Sequence, residues 1–395
     1  MRLSRSSPRG VVAVFLLAFA AASAAQAPQP PEVAAKSYIV LDLTTHQTLA
    51  ERDADASADP ASLTKLMTAY IVFQALRDKK LTLEQPVPVS KLAWAERKGG
   101  GSLMFIDTTM TPKVDELLKG VIVESGNDAS VALAEAVGGS VDAFVTMMNR
   151  QAQAWGLKNT TFKNVTGLTE PGHRSNARDM AAIATHIVRD FPEYFPYYSI
   201  KDYTYNRIAQ PNRNLLLRRD PTVDGMKTGF TDGAGYCLLA TAQREFPNLG
   251  AHGGAGKRRI MTVVLATTSM ESRANESQKL LNWGFQAFET VRLFDDGKAM
   301  VTTPVWKGKL NTVALGPAAG VFVSVPRGDG AKLQTKIERT DPLVAPLTKG
   351  QRVGKILVGT AGGSPIMEVP LVVLEPVEEA GIFGRAWDAI RLWVK

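Results

Sequence analysis

Apolar and polar positions follow a strand-like period near the start of the chain, a helical period through its middle, and a strand-like period again past residue 230. Ser37 to Leu43 (SYIVLDL) and Thr48 to Arg52 flank Thr44-Thr45-His46-Gln47 and predict a hairpin. Leu66 to about Leu76 is apolar almost all round, the pattern of a helix buried at a domain centre. From Lys113 to Arg189 the spacing of Val114, Leu117, Leu118 and Val121, then of Val131, Leu133, Ala134 and Val137, predicts helices. Asn176-Ala177-Arg178-Asp179 has the character of a further helix start. Past a Pro-rich aromatic stretch, 192–205, Gly235 to Gln243 (GYCLLATAQ) and Arg259 to Thr268 (RIMTVVLATT) are near-continuous β runs around a Gly-rich insertion, 250–256. Glu276 to Thr290 predicts an amphipathic helix. Strands at both ends of a helical middle imply one α/β domain over 36–291, its sheet assembled from distant segments.

Residues 292–378 differ in kind. Short β-prone runs (Val321 to Pro326, Val353 to Val358, Met367 to Leu374) are punctuated by Gly and Pro, which predicts a small all-β domain without clustered His, Cys or carboxylates. In the tail, 379–395, helical spacing returns. Ile382, Phe383, Ala386, Trp387, Ile390, Trp393 and Val394 share one face, opposite Arg385, Asp388 and Lys395. Fifteen or so residues are too few to span a bilayer, and two tryptophans with basic neighbours fit its interface, so this helix is expected to be a membrane anchor. At the other end, Arg2, Arg5 and Arg9 precede an apolar run, Val11 to Ala22, and Ala22-Ser23-Ala24 offers a cleavage site. Residues 1–24 are thus expected to be a signal peptide, with 25–35 a linker.

The formal charge is +8, and removal of the three N-terminal arginines leaves 8 − 3 = +5. That is mildly basic, and no Lys/Arg block is long enough to suggest nucleic acid, while anionic surfaces are compatible. A single cysteine, Cys237, excludes an intramolecular disulfide, and its apolar surroundings predict a core residue. The four histidines (46, 173, 186, 252) are scattered, and H-E-x-x-H, G-x-S-x-G and Cys/His clusters are missing, so neither a metal nor another cofactor is expected.

The candidate chemistry starts at Pro60-Ala61-Ser62-Leu63-Thr64-Lys65, an S-x-x-K pattern opening the apolar helix. Alone, such a pattern arises by chance roughly once or twice in a chain of this length. Two further motifs follow it at element boundaries: Ser125-Gly126-Asn127 and Lys227-Thr228-Gly229. Acyl transfer gives each a role. Ser62 is the candidate nucleophile, and neutral Lys65, three residues on and on the same face, its proton acceptor. Lys227 is expected to help keep Lys65 neutral by like-charge repulsion. Ser125 can pass the proton to a leaving amine, and Asn127 can hydrogen-bond Lys65 and substrate backbone. Lys227 and Thr228 would bind a substrate carboxylate. Backbone N–H groups of Ser62 and Phe230 would form an oxyanion hole.

The set S-x-x-K, S-x-N, K-T-G is that of penicillin-binding proteins and class A β-lactamases. From about Lys36 onward the chain resembles the low-molecular-mass penicillin-binding proteins, D-alanyl-D-alanine carboxypeptidases of the periplasmic, tail-anchored type. The likeness is carried by DPASLTKLMTAY (59–70), GSLMF (101–105), SGNDA (125–129), SNARDMA (175–181), NRN (212–214), VDGMKTG (223–229), NWGFQAFETV (282–291) and PLVVLE (370–375). The resemblance implies a penicillin-binding transpeptidase fold, a small β domain and an amphipathic anchor on the periplasmic side of the cytoplasmic membrane. It implies release of the terminal D-alanine from peptidoglycan pentapeptide stems through a Ser62 acyl-enzyme, and covalent inhibition by β-lactams. Arg213 of NRN would join Thr228 and Lys227 at the terminal carboxylate. Where some relatives carry histidine after K-T-G, this chain has Phe230, which removes any side-chain role of that histidine in deacylation or substrate choice. A β-lactamase on the same site, a wall-binding protein or β-lactam sensor that acylates and stalls, and endopeptidase action on cross-links are the alternatives.

Overall fold

The computed structural model describes residues 28–247, 249, 254–360, 364–382, 385 and 388. Its centre is a five-stranded, fully antiparallel sheet in the order Gln47–Arg52, Ser37–Asp42, Gly256–Thr267, Gly235–Phe246, Val223–Thr231. The first two strands are the expected hairpin, and the sheet joins segments more than 180 residues apart. Its long strands are nearly continuous in apolar residues because both faces are covered. On one face Ile39, Leu239, Met261, Val263 and Leu265 meet the helical core. On the other, Val40, Leu238, Ala240, Ile260 and Val264 meet the helix Met270–Ala287 through Leu280, Leu281 and Phe285. Alternate residues of one strand thus serve two cores.

Within the helical region, Lys65–Arg77 is buried except at Gln74 and Arg77, as its all-round apolarity predicts. Helices Asn127–Gly138, Val141–Ala154 and Ala177–Asp190 surround it. Asn176 caps the last of these, its Oδ1 accepting from the Asp179 N–H at 2.7 Å.

The helix expected over 276–290 instead occupies Met270–Ala287. It starts earlier because Ser269 Oγ accepts from the Ser272 N–H (2.9 Å). It stops at Ala287 because Phe288 and Thr290 are buried in a strand, Phe288–Phe294, paired with Val321–Pro326. That pair leads into a six-stranded sheet ordered Leu333–Arg339, Arg352–Thr360, Met367–Val373, Thr312–Gly316, Val301–Trp306, Leu343–Val344. Its core is Val305, Val313, Leu315, Ile356, Val358, Leu371 and Val373. The second domain is all β apart from one 3₁₀ turn, Gly330–Lys332, among the described residues.

A buried polar joint ties the five-stranded sheet to the two-stranded pair Phe288–Phe294 and Val321–Pro326. Arg258 and Asp42 are both fully buried and pair at 2.7 Å. Asp42 Oδ2 also accepts from Ser324 Oγ (2.6 Å) and Thr290 Oγ1 (3.2 Å), while Gln47 bonds the Ser324 backbone in both directions. Buried charges persist only when paired and hydrogen-bonded, and here both conditions hold. Among the described residues, no single helix is long and apolar enough to cross a membrane. The expected anchor, 379–395, falls mostly outside the described residues, as does the signal peptide.

Candidate active site

Ser62 sits in a 3₁₀ turn, Ala61–Thr64, and the α-helix proper begins at Lys65. The S-x-x-K serine is therefore on the turn that leads into the helix, not on the helix as expected. Ala61, fully buried, takes a left-handed φ of 46°, a strained choice for a residue with a Cβ. The turn is clamped from outside by Gly167 (φ 87°), where a Cβ would lie 1.8 Å from the Ala61 carbonyl oxygen. Only glycine fits there.

Lys65 Nζ is surrounded by three oxygens: Ser62 Oγ at 3.1 Å, Asn127 Oδ1 at 2.7 Å and the Thr166 carbonyl at 2.6 Å. Carbonyl oxygens accept only, so a neutral amine spends its two N–H groups on Asn127 and Thr166 and turns its lone pair toward Ser62. Lys65 is 1 % exposed, and burial pushes its ammonium down to about 7, with Glu96 opposing, Arg213 adding and Asp128 opposing. Lys227, equally buried, is pushed well down by burial and then by the charges of Lys65, Arg213 and Arg273. Desolvation is thus the main cause at Lys65. Repulsion between the two amines is mutual and disfavours both carrying charge at once.

Ser125 follows a π-helical turn, Gly120–Glu124, and takes a left-handed conformation (φ 63°, ψ 31°). A π turn widens the helix by one residue, and such turns concentrate at functional sites. The next helix starts at Asn127. Ser125 Oγ and Asn127 Nδ2 are both buried without a protein partner. Both residues line the cleft, so these are polar groups held ready for a ligand.

The strand Val223–Thr231 is the sheet edge nearest the Ser62 turn and carries Lys227-Thr228-Gly229. A Cβ on Gly229 would lie 3.2 Å from Ala61 Cβ and from the Pro60 carbonyl, so glycine lets the strand approach the turn. Lys227 Nζ donates to the Thr228 carbonyl (3.1 Å). Arg213 Nη1 donates to Ser102 Oγ, and Arg273 reaches back to the carbonyls of Gly229 (3.0 Å) and Arg213 (3.4 Å).

Together these form an open cleft of about 390 Å³ lined by Ser62, Ser125, Asn127, Arg213, Thr228, Gly229 and Phe230. Lys65 and Lys227 lie buried beneath its walls. All nine candidate residues therefore converge, and none of the described residues lining the cleft is acidic. Such a site favours an anionic ligand with backbone-like polar groups. Among the described residues, no three His, Cys, Asp or Glu side chains gather as a metal site.

Sequence reasoning missed several supports. Asp128 accepts from the N–H groups of Met104 (2.8 Å) and Ile106 (3.1 Å), fixing the segment that follows cleft-lining Gly100, Gly101 and Ser102. Its signal was present: an acid directly after Asn127. Thr166 and Arg273 had no such signal, since a carbonyl contact and a distant helix residue leave no local pattern. His173 is structural: its Nδ1 accepts from the Lys163 N–H, so Nε2 donates to Thr64 Oγ1 (2.8 Å). Burial lowers it to about 4. Cys237 is buried in the sheet, and burial raises its thiol to about 11.

Comparison with known proteins decides the family. Residues 24–251 match the family model described as D-alanyl-D-alanine carboxypeptidase. The chain belongs to the D-alanyl-D-alanine carboxypeptidase family. Residues 288–379 match a second model, the C-terminal domain of penicillin-binding protein 5. D-alanyl-D-alanine carboxypeptidase DacC of Escherichia coli (strain K12) is 44 % identical over 99 % of this chain and 96 % of its own. Penicillin binding protein 5 from Haemophilus influenzae superposes with a TM-score of 0.82 at 40 % identity, covering 89 % of this chain and all of that one. Penicillin-Binding Protein D2 from Listeria monocytogenes, solved in its ampicillin-bound form, matches at 29 % identity and a TM-score of 0.57, over 66 % of this chain and 100 % of that one. The protein is a serine-type D-alanyl-D-alanine carboxypeptidase of penicillin-binding transpeptidase fold with an all-β C-terminal domain.

Proposed function

We propose that this carboxypeptidase works through a Ser62 acyl-enzyme on peptidoglycan pentapeptide stems. The observation that carries the reading is Lys65 Nζ at 3.1 Å from Ser62 Oγ with its other contacts spent on fixed acceptors. Neutral Lys65 takes the hydroxyl proton as Ser62 Oγ attacks the carbonyl of the penultimate D-alanine. The N–H groups of Ser62 and Phe230 hold the oxyanion. Ser125 Oγ relays the proton to the departing amine, and free D-alanine leaves. Asn127 Nδ2, without a protein partner, receives a substrate carbonyl. Thr228, Lys227 and Arg213 hold the terminal carboxylate, which Arg213 meets as a guanidinium fork. Water then takes the acyl group from Ser62, with neutral Lys65 regenerated at the end.

A β-lactam offers the same carboxylate and a strained amide, so it acylates Ser62, and its leaving nitrogen stays tethered. Labelled penicillin should attach to the wild-type protein, and peptide mass mapping should find the adduct on Ser62. An adduct on another residue, or undiminished labelling of Ser62→Ala, would refute the mechanism. Rapid loss of the label would favour the β-lactamase alternative; a label that never leaves, with no D-alanine released, would favour the sensor.

We propose that the body is periplasmic and held to the cytoplasmic membrane by residues 381–395, a reading supported by the amphipathic spacing of that segment. Deletion of 381–395 should move the protein from the membrane to the soluble fraction with catalysis intact. Unchanged fractionation would reject the anchor.

A further inference from the structure

The all-β domain carries most of its exposed apolar side chains at one end. Strands Val301–Trp306 and Thr312–Gly316 form a hairpin whose tip, 307–311, reads Lys-Gly-Lys-Leu-Asn. Leu310 on that tip is 52 % exposed. Val344, 37 % exposed, is in register with Trp306 at the root of the tip, where Leu343–Val344 pairs in parallel with the first hairpin strand.

The start of the tail completes the group. The Lys309 N–H donates to the Glu378 carbonyl and the Ala380 N–H to the Lys307 carbonyl, each at 2.8 Å, so 378–380 runs antiparallel along the tip. Asp388 Oδ2 accepts from the Lys307 N–H (2.7 Å), which seats the tail on the same hairpin. Between these attachments Ile382 is 75 % exposed. Single exposed aliphatic residues are ordinary, but three around one tip form a patch. Among the described residues of this domain, Ile366 is the other large apolar side chain of comparable exposure, and it lies at the opposite end of the sheet.

Connectivity sets the direction of the tip. Thr312–Gly316 runs from it toward Val321–Pro326, whose Ser324 joins the catalytic domain through Asp42. The tip therefore points away from the joint and from the cleft beyond it. Its acids are already answered: Glu378 pairs with Lys309, Glu379 with Arg385, and Asp388 is spent on a backbone N–H. Apolar area, not net charge, is what the tip offers, and lysine stems beside it suit a headgroup layer.

We propose that this tip, through Leu310, Val344 and Ile382, is a second membrane contact that enters the bilayer interface beside the tail and fixes the tilt of the body. The occupant is the boundary of headgroups and acyl chains, because the chain passes from the tip directly into the segment assigned above to that boundary. The inference rests on the anchor reading and adds a contact to it.

The test uses the full chain with phosphatidylcholine vesicles containing phosphatidylglycerol, and sedimentation to measure partition. Leu310→Gln should weaken partition about fivefold, the effect of half a leucine side chain failing to leave water, and Leu310→Gln with Val344→Thr about tenfold. Ile366→Gln should leave partition unchanged, and D-alanine release should be the same in all three variants. An environment-sensitive fluorophore on Leu310→Cys reports the contact directly, since the native Cys237 is buried and the label is confined to the tip. Its emission should shift to the blue with vesicles and stay unchanged when unlabelled protein replaces them. Unchanged partition in Leu310→Gln, or no blue shift with vesicles, would overturn the contact. A blue shift with unlabelled protein alone would make the tip an interface between two copies and overturn it as well. Failure of the full chain to sediment with vesicles would instead remove the anchor reading, a distinct result.

Discussion

Lys65 supplies the most demanding quantitative consequence. An ordinary lysine amine titrates at 10.5, so only about three in ten thousand are neutral at pH 7. Burial in this site brings the group to about 7, where half are neutral. The difference, 10.5 − 7, is about 3.5 units, or roughly 5 kcal/mol that the fold spends on keeping this amine unprotonated. If neutral Lys65 accepts the Ser62 proton, the acylation rate tracks the neutral fraction. About one amine in eleven is neutral at pH 6, half at pH 7 and ten in eleven at pH 8. The second-order rate of penicillin acylation, followed by stopped-flow fluorescence from pH 5 to 9, should climb about ninefold from pH 5 to 6, about fivefold from pH 6 to 7, and flatten above. Glu96, half-buried nearby, raises the Lys65 value by its charge. Glu96→Gln should therefore move the rising limb to lower pH. A flat profile across pH 5.5 to 8.5, or a limb shifted upward in Glu96→Gln, would refute the reasoning. Stability carries its own sign: the unfolded chain binds a proton that the fold rejects between about 7 and 10.5. Lys65 therefore weakens the fold fully below that window, and the loss is relieved as pH rises through it.

Two stability predictions follow from buried groups outside the chemistry. Glu124, 1 % exposed, is raised to about 8 by burial and then by the charge of Asp128. Its stabilising neutral form is lost as pH rises from 4.5 toward about 8, so Glu124→Gln should gain on the wild type across that window by roughly 3–5 kcal/mol and then hold level. Urea titrations at pH 5, 6.5 and 8 measure this, and a pH-independent difference would contradict it. Asp42→Ala leaves the Arg258 guanidinium buried without its partner and should cost about 3–5 kcal/mol. The exposed Arg178–Asp55 pair, cut by Asp55→Ala, should lower Tm far less, and equal losses in Tm would argue against the buried joint.

The sequence pattern anticipated the elements and the chemistry to different degrees. The hairpin, the buried helix after Ser62 and the long central strands were legible because each carries its own period. The helix at Met270–Ala287 was misplaced because its start depends on a cap at Ser269 and its end on pairing with a strand more than thirty residues later. The three motifs were legible because acyl transfer demands fixed residue types at fixed spacing. What held them together was not. The carbonyl of Thr166, the left-handed turns at Ala61 and Ser125 and the reach of Arg273 are products of tertiary packing. The depression of Lys65 was expected from a second cation, whereas solvent exclusion turns out to be its main cause. Charge is visible in a sequence, and burial is not.

The most direct test is D-alanine release from a peptide ending in D-Ala-D-Ala, measured beside penicillin hydrolysis for the wild type and Ser62→Ala. Wild-type protein should release D-alanine with much slower β-lactam turnover, and Ser62→Ala should lose both. Release undiminished in Ser62→Ala, or penicillin hydrolysis that outpaces D-alanine release, would contradict the account.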